Sequence, residues 1–227
     1  MPKSFLIEMF DRLPPLRARD DEDLWAAGVQ VAIREFRSSI REKYTEGTLQ
    51  RLLAFDDVKT RRAAALALGL IGTMEANPSL ASALHDSDSL VQIFVADALW
   101  ELWFRAGTPE QNRKLKRAVR ESDQGKARTY LDELVRSAPT FAEAFNQRAI
   151  WFFKRGEFAR AIEDCEKTLQ LNPHHFGAAA GLGQCLVKIG KQQAAIRAFR
   201  LALEINPTLE HLNDTIRSLE KSLGHGD

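Results

Sequence analysis

Three prolines, Pro139, Pro173 and Pro207, stand 34 residues apart along the chain. A proline removes a backbone donor and pushes the residue before it out of helical conformation, so each closes a helix at one point of a period. The residues between them repeat in kind. Gly156-Glu157-Phe158-Ala159-Arg160-Ala161-Ile162 returns as Gly190-Lys191-Gln192-Gln193-Ala194-Ala195-Ile196. Leu169-Gln170-Leu171-Asn172-Pro173 returns as Leu203-Glu204-Ile205-Asn206-Pro207. A chain punctuated in this way builds stacked helical units, each burying its apolar face only against its neighbours.

The first full period puts Phe145, Ala149 and Phe152 on one helix and Ala161, Cys165 and Thr168 on the next; the following period offers Ala179, Gly183, Leu186, Ala195, Phe199 and Ala202. Small residues let two helices approach closely and aromatics fill the space left between them. This pattern resembles the tetratricopeptide repeat (TPR), from whose usual residues Thr168 and Ala179 depart. Past Pro207, Leu209, Leu212, Ile216, Leu219 and Leu223 recur at helical spacing opposite Glu210, Asn213, Asp214, Arg217, Glu220 and Lys221. They predict a capping helix ended by Gly224. Upstream, Ala127, Leu131 and Leu134 fit the second helix of a degenerate repeat whose first helix runs over about 109–120.

The N-terminal half carries a looser period. The run from Asp57 through Arg61, Arg62, Ala63 and Ala64 to Leu68 aligns with the run from Asp88 through Gln92, Ile93, Phe94 and Val95 to Leu99, 31 residues on. Pro78 and Pro109 each open a helix at the same offset. An aspartate cap before an alanine-rich helix is similar to short bacterial HEAT-like repeats. Arg61 and Arg62 suit that family and Gln92 and Ile93 depart from it. Further upstream, Trp25, Val29, Ile33, Phe36 and Ile40 form an apolar stripe over 24–44, preceded by an acidic first turn at 20–23 and followed by a helix over 48–55. There is no sustained period-2 alternation and no Asn-Gly or Asp-Gly hairpin turn. The predicted fold is all-α, a right-handed α-solenoid of antiparallel helix pairs. Its divisions are an arm (1–19), HEAT-like repeats (20–107), a degenerate TPR or junction (108–141), two TPRs (142–207) and a capping helix with its tail (208–227).

Composition removes several classes of function. With 227 residues and a net charge of +1, the chain has no global attraction for nucleic acid or an anionic membrane. No apolar run approaches the roughly 20 residues of a membrane span. The apolar stretch over 4–10 is broken by Glu8, with no cleavage site after it, so no signal peptide is expected. Cys165 and Cys185 are expected as free buried thiols in a reducing cytoplasm. His85, His174, His175, His211 and His225 form no metal-ligating pattern, and His174 and His175 fall in the turn between repeats. Asp56, Asp57, Asp86 and Asp88 sit where helix caps belong. Gly181-Leu182-Gly183 lies inside a predicted helix rather than in a phosphate loop, and no serine has a catalytic context. No cofactor, metal or enzymatic activity is expected. HEAT-like repeats also occur in phycobilin lyases, but no residue here points to that chemistry.

What remains is recognition. The TPR resemblance implies a concave groove lined by the first helix of each repeat. In the first full repeat those residues are Glu143, Asn146, Gln147, Ile150, Phe153 and Lys154; in the next they are Gly177, Ala180, Gly181, Gln184, Val187 and Lys188. The two-carboxylate clamp that holds chaperone tails needs asparagines and cations. Gln147, Gly177 and Gly181 stand in those slots, so a chaperone tail is not the expected partner. The apolar base formed by Ile150, Phe153 and Val187 suits an amphipathic helix or an extended peptide of another protein. A second candidate surface is the basic face of Arg113, Lys114, Lys116, Arg117 and Arg120, which could meet nucleic acid or another polyanion. Leu115, Ala118 and Val119 are expected to be the buried side of that helix, and Trp100, Trp103 and Phe104 to be core at the repeat junction.

Overall fold

The computed structural model describes residues 4–14 and 22–224, all helix and turn, with no strand among the described residues. Pro15 and the start of the acidic run at 20–23 lie outside the described residues, as does the Trp25 side chain. The chain divides into two compact units, Met1–Leu102 and Trp103–Asp227.

The first unit contains α1 (Phe5–Asp11), α2 (Glu22–Lys43), α3 (Glu46–Leu52), α4 (Val58–Ile71), a 3-10 turn (Met74–Ala76), α5 (Asn77–Ala83) and most of α6 (Ser89–Phe104). Within the stretch expected to be an arm, Phe5–Asp11 forms α1. Leu6 is fully buried and its N–H donates to the Tyr44 hydroxyl at 3.1 Å, while Phe10 meets Phe94 edge-on at 6.1 Å. Its repeats are joined by charge. Asp57 caps α4, accepting from the Thr60 N–H at 2.8 Å and the Thr60 hydroxyl at 2.7 Å. One and two residues beyond Thr60, Arg61 and Arg62 reach forward to the next repeat. Arg61 grips Asp86 with Nε at 2.7 Å and Nη2 at 3.0 Å, and its Nη1 donates to the Phe55 and Asp56 carbonyls. Arg62 grips Asp88, which in turn accepts the Val91 N–H in the first turn of α6. At the corresponding positions of α6, Gln92 donates to the Asp86 carbonyl at 2.8 Å and Ile93 is half exposed. Between the helices Gly69 is pressed against Ala98, where an added Cβ would come within 3.1 Å of the alanine Cβ.

The second unit holds α7 (Pro109–Arg120), α8 (Gln124–Ser137), α9 (Ala142–Phe153), α10 (Phe158–Leu171), α11 (Phe176–Lys188), α12 (Gln192–Ile205) and α13 (His211–Gly224). Consecutive helices pack in pairs, and α9 also meets α11, as stacking of repeats requires. The 34-residue period is visible in the backbone. Gly156 and Gly190, which turn the chain within each repeat, have φ of 75° and 74°, a conformation that costs other residues about 1–2 kcal/mol. Asn172 and Asn206, each before its proline, are extended, with N–H groups closing the preceding helix onto Thr168 and Ala202 at 2.8 Å. Inside the pairs, Ala149, Ala161, Ala195 and Ala202 are buried. At Gly183 contact is tightest, since a Cβ there would lie 2.5 Å from the Phe199 ring. One period earlier the same two positions hold Ala149 and Cys165. A larger residue on the first helix is thus matched by a smaller one on the second.

A partly buried ion network ties the first two pairs of this unit. Arg148 on α9 holds Asp164 of α10 with Nε at 2.7 Å and Nη2 at 2.8 Å, and Asp132 of α8 with Nη1 at 2.9 Å. Burial pushes the Asp164 carboxyl up and Arg148 draws it back down. On the apolar face of α13, Leu212 and Ile216 are buried, Leu219 is half-buried, as is Leu209 just before the helix, and Leu223 near the helix end is exposed.

Two outcomes are expected. Arg62 holds Asp88 down to about 2 from an ordinary value of 3.8, so its stabilising contribution is complete above the unfolded value and drains away as pH falls towards the folded one. Melting followed by circular dichroism should therefore decline between about pH 4 and pH 2, and Asp88→Asn should flatten part of that decline. Gly183→Ala should cost roughly 1–3 kcal/mol in urea denaturation through overpacking against Phe199. Combined with Phe199→Cys, which rebuilds the Ala149/Cys165 pairing, it should cost less than the two single changes added together.

Candidate functional site

The predicted groove residues separate into three groups. Glu143 and Asn146 point inward. Glu143 Oε1 accepts from Asn146 Nδ2 at 3.2 Å and Gln147 Nε2 at 2.6 Å, and its Oε2 lies 2.9 Å from His175 Nε2, with both side chains fully buried. His175 Nδ1 accepts the Ala178 N–H at 3.0 Å, capping α11, so the ring hydrogen sits on Nε2 and donates to Glu143. The Trp103 indole stacks on the imidazole, with centroids 4.0 Å apart and planes at 22°, and also touches Phe176. Of the two histidines read as turn residues, His175 is therefore a buried helix cap. Trp103 is core, as the sequence predicts, with 1% exposure.

The second group meets at one surface. Gln147, Ile150 and Lys154 line a cavity of about 100 Å³ together with Val119 of α7, Trp151 of α9, and Gln124, Ala127 and Leu131 of α8. Ile150 is 38% exposed and Val119 47%. This corrects the expectation that Val119 belongs to the buried side of α7, where Leu115 and Ala118 are buried and it is not. The signal was present in the period, since Val119 stands 34 residues before Phe153, a groove position. Trp151 was not singled out in the sequence. Its Nε1 donates to the Gln124 carbonyl at 3.1 Å, and the guanidinium groups of Arg128 and Arg155 lie over its ring at 5.1 and 4.4 Å. Phe153 is half-buried, edge-on to Phe158 at 5.6 Å and packed against a cluster of Phe152, Ala161 and Cys185.

The third group lies on α11. Ala180, Gly181 and Val187 are half-buried and Gln184 and Lys188 are exposed. Gly181 backs onto Cys165, whose sulfur would lie 3.6 Å from a Cβ there. Cys165 and Cys185 are free and buried, and the neighbouring Cys185 together with burial pushes the Cys165 thiol up, away from thiolate chemistry. On the basic face, Arg113, Lys114, Lys116, Arg117 and Arg120 are all exposed. Two of them are used within the unit. Lys114 pairs with Glu110 at 2.8 Å, and Arg117 donates to the Tyr130 hydroxyl at 2.6 Å while covering its ring. Among the described residues no group of three or more histidine, cysteine or acidic side chains could hold a metal ion, and no helix is long and apolar enough to cross a membrane. In the first unit Asp57 and Asp88 cap helices and Asp86 and Asp88 hold arginines, whereas Asp56 contributes its backbone carbonyl to Arg61.

Comparison with known proteins agrees with this architecture. A family model for HEAT repeats matches residues 45–131, and two for the tetratricopeptide repeat match 112–175 and 152–213. A TPR repeat-containing protein of Rhizobium etli is 30% identical over 107 residues, 47% of this chain and 52% of that protein. Small glutamine-rich tetratricopeptide repeat-containing protein 2 of Mycosarcoma maydis is 25% identical over 47% of this chain and 30% of its own length. For sperm-associated antigen 1 of Mus musculus the figures are 28%, 48% and 12%. The chain thus spans about half, or less, of the curated relatives it matches. The stretch from Asn112 to Arg120, read as a degenerate first helix, lies inside a TPR match.

Removing the Glu143 side chain takes away an interior acceptor shared by His175, Asn146 and Gln147. Glu143→Ala should therefore lower stability by about 1–3 kcal/mol in chemical denaturation.

Proposed function

Because the chain is a repeat protein, with HEAT repeats in its N-terminal half and TPRs in its C-terminal half, and such repeats typically serve as protein-interaction scaffolds, we propose that it is a non-enzymatic adaptor. Its partner segment, an extended peptide or an amphipathic helix, lies on the exposed face of α7, α9 and α11. The observation that carries this reading is the pair of exposed aliphatics, Val119 and Ile150, around the cavity between α7, α8 and α9. Partly exposed Ile150, with Ala118, Val119, Ala127 and Leu131 lining the same cavity, offers an apolar contact for such a segment. The free, buried thiols suit a reducing compartment, and the reading takes that to be the cytoplasm.

The first position of the groove belongs to the protein itself, since Glu143 and Asn146 are taken up by His175 and by each other. Recognition therefore rests on the later turns of the first helices, at Gln147, Ile150 and Lys154 of α9 and Gln184 and Lys188 of α11. Phe153 is a poor probe of it, because a charge there would also disturb the contact with Phe158.

The test is affinity capture with wild type and Ile150→Asp in parallel, each checked by circular dichroism and treated with nuclease. Proteins retained by wild type should be weakened about tenfold or more by Ile150→Asp, with no change in fold. Retention that ignores the substitution, or that vanishes with nuclease alone, would overturn the groove reading.

A further inference from the structure

Arg120, Lys154 and Lys188 stand 34 residues apart, one at the end of the first helix of each successive repeat in the second unit. The period therefore repeats a cation as faithfully as it repeats the prolines. All three are exposed, and among the described residues none has a carboxylate partner. A cation at a helix C-terminus also favours its own helix dipole, which accounts for one such residue but not for what lies beside it. Arg113 and Lys116 of α7 precede Gln147 and Ile150 by the same 34 residues, which puts them on the same face as those cavity-lining positions. The groove and the basic face, two separate surfaces in the sequence reading, are by register one surface. Against its cations the cavity rim sets only the half-buried Glu121, and Glu143 is sealed inside.

Resting on the groove reading above, we propose that the partner segment is acidic: a stretch of another protein that seats an aliphatic side chain between Val119 and Ile150 and presents carboxylates to the Arg120–Lys154–Lys188 row. Charge complementarity selects such a segment and fixes its direction along the groove. The surface favours a peptide over a nucleic acid. Its exposed apolar groups are aliphatic, the ring of Trp151 has the guanidinium groups of Arg128 and Arg155 over it, and Phe153 is half-buried edge-on to Phe158 rather than open to a base. A near-neutral chain that gathers unpaired cations beside an apolar seat uses them for selectivity, not for bulk attraction.

The probe is a displayed library of random peptides, selected on the full chain and on three variants: Arg120→Glu/Lys154→Glu/Lys188→Glu, Ile150→Asp, and a control, Arg197→Glu, on exposed α12 surface. Circular dichroism of each variant checks that these exposed substitutions leave the fold intact. Wild type and control should enrich peptides that combine Asp or Glu with a bulky aliphatic residue. Synthetic versions should bind the triple variant about tenfold or more weakly, and wild-type binding should weaken with salt. Enrichment without acidic bias, or acidic peptides indifferent to the triple reversal, overturns the charge assignment; if Ile150→Asp still abolishes binding, the groove reading survives that failure. Peptides that ignore Ile150→Asp as well, or no enrichment at all, overturn both. Displacement of the selected peptides by a single-stranded oligonucleotide at lower concentration than by a poly-glutamate peptide overturns the choice of an acidic protein segment.

Discussion

The second unit depends on how closely two helices can approach. At Gly183 the approach leaves no room for a methyl group, because the Phe199 ring fills the space where it would go. Around that contact Ala149, Ala161, Ala195 and Ala202 keep the pairs close, and the turns that bring each pair together pass through glycines with positive φ. Tight crossing fixes where the outer turns of α9 and α11 lie. It also fixes which of their residues remain uncovered, so packing at the crossing decides the chemistry of the exposed face.

The first unit uses a different joint. Its helices cross at small residues too, Gly69 against Ala98, but the repeats are tied by two arginines that hold Asp86 and Asp88, the second of which caps the next helix. A carboxylate that caps a helix and pairs with a guanidinium is bonded twice for different reasons, and each bond orients the other. Gln92, which departs from the arginine pattern, bonds back to the Asp86 carbonyl instead, and Ile93 beside it is half exposed.

Much of the fold was legible because proline, glycine and small-residue positions report backbone constraint directly, and constraint repeats with the period. The stacking order, the α13 cap and the buried cysteines follow from that. The site was less legible. Side-chain direction near a helix end depends on what the neighbouring element offers, and the sequence does not print neighbours. Val119 follows an apolar pattern that predicts burial, yet it faces out because α7 buries its other side, at Leu115 and Ala118. Glu143 occupies a position that would face a ligand in the family it resembles, yet His175, 32 residues away, turns it inward. Arg113, Lys116 and Arg120 read as a separate basic helix until the 34-residue register aligned them with α9.

The matched pairs at the helix crossings also bear on how such a chain can change. Gly183 goes with Phe199, and the equivalent Ala149 with Cys165. A recombination that carried one first helix into the neighbouring repeat would oppose an alanine to a phenylalanine in one place and leave a gap beside a cysteine in the other. The repeats share a backbone plan but are not exchangeable parts. An insertion or deletion that kept whole repeats intact would be tolerated where a shuffled half-repeat would not.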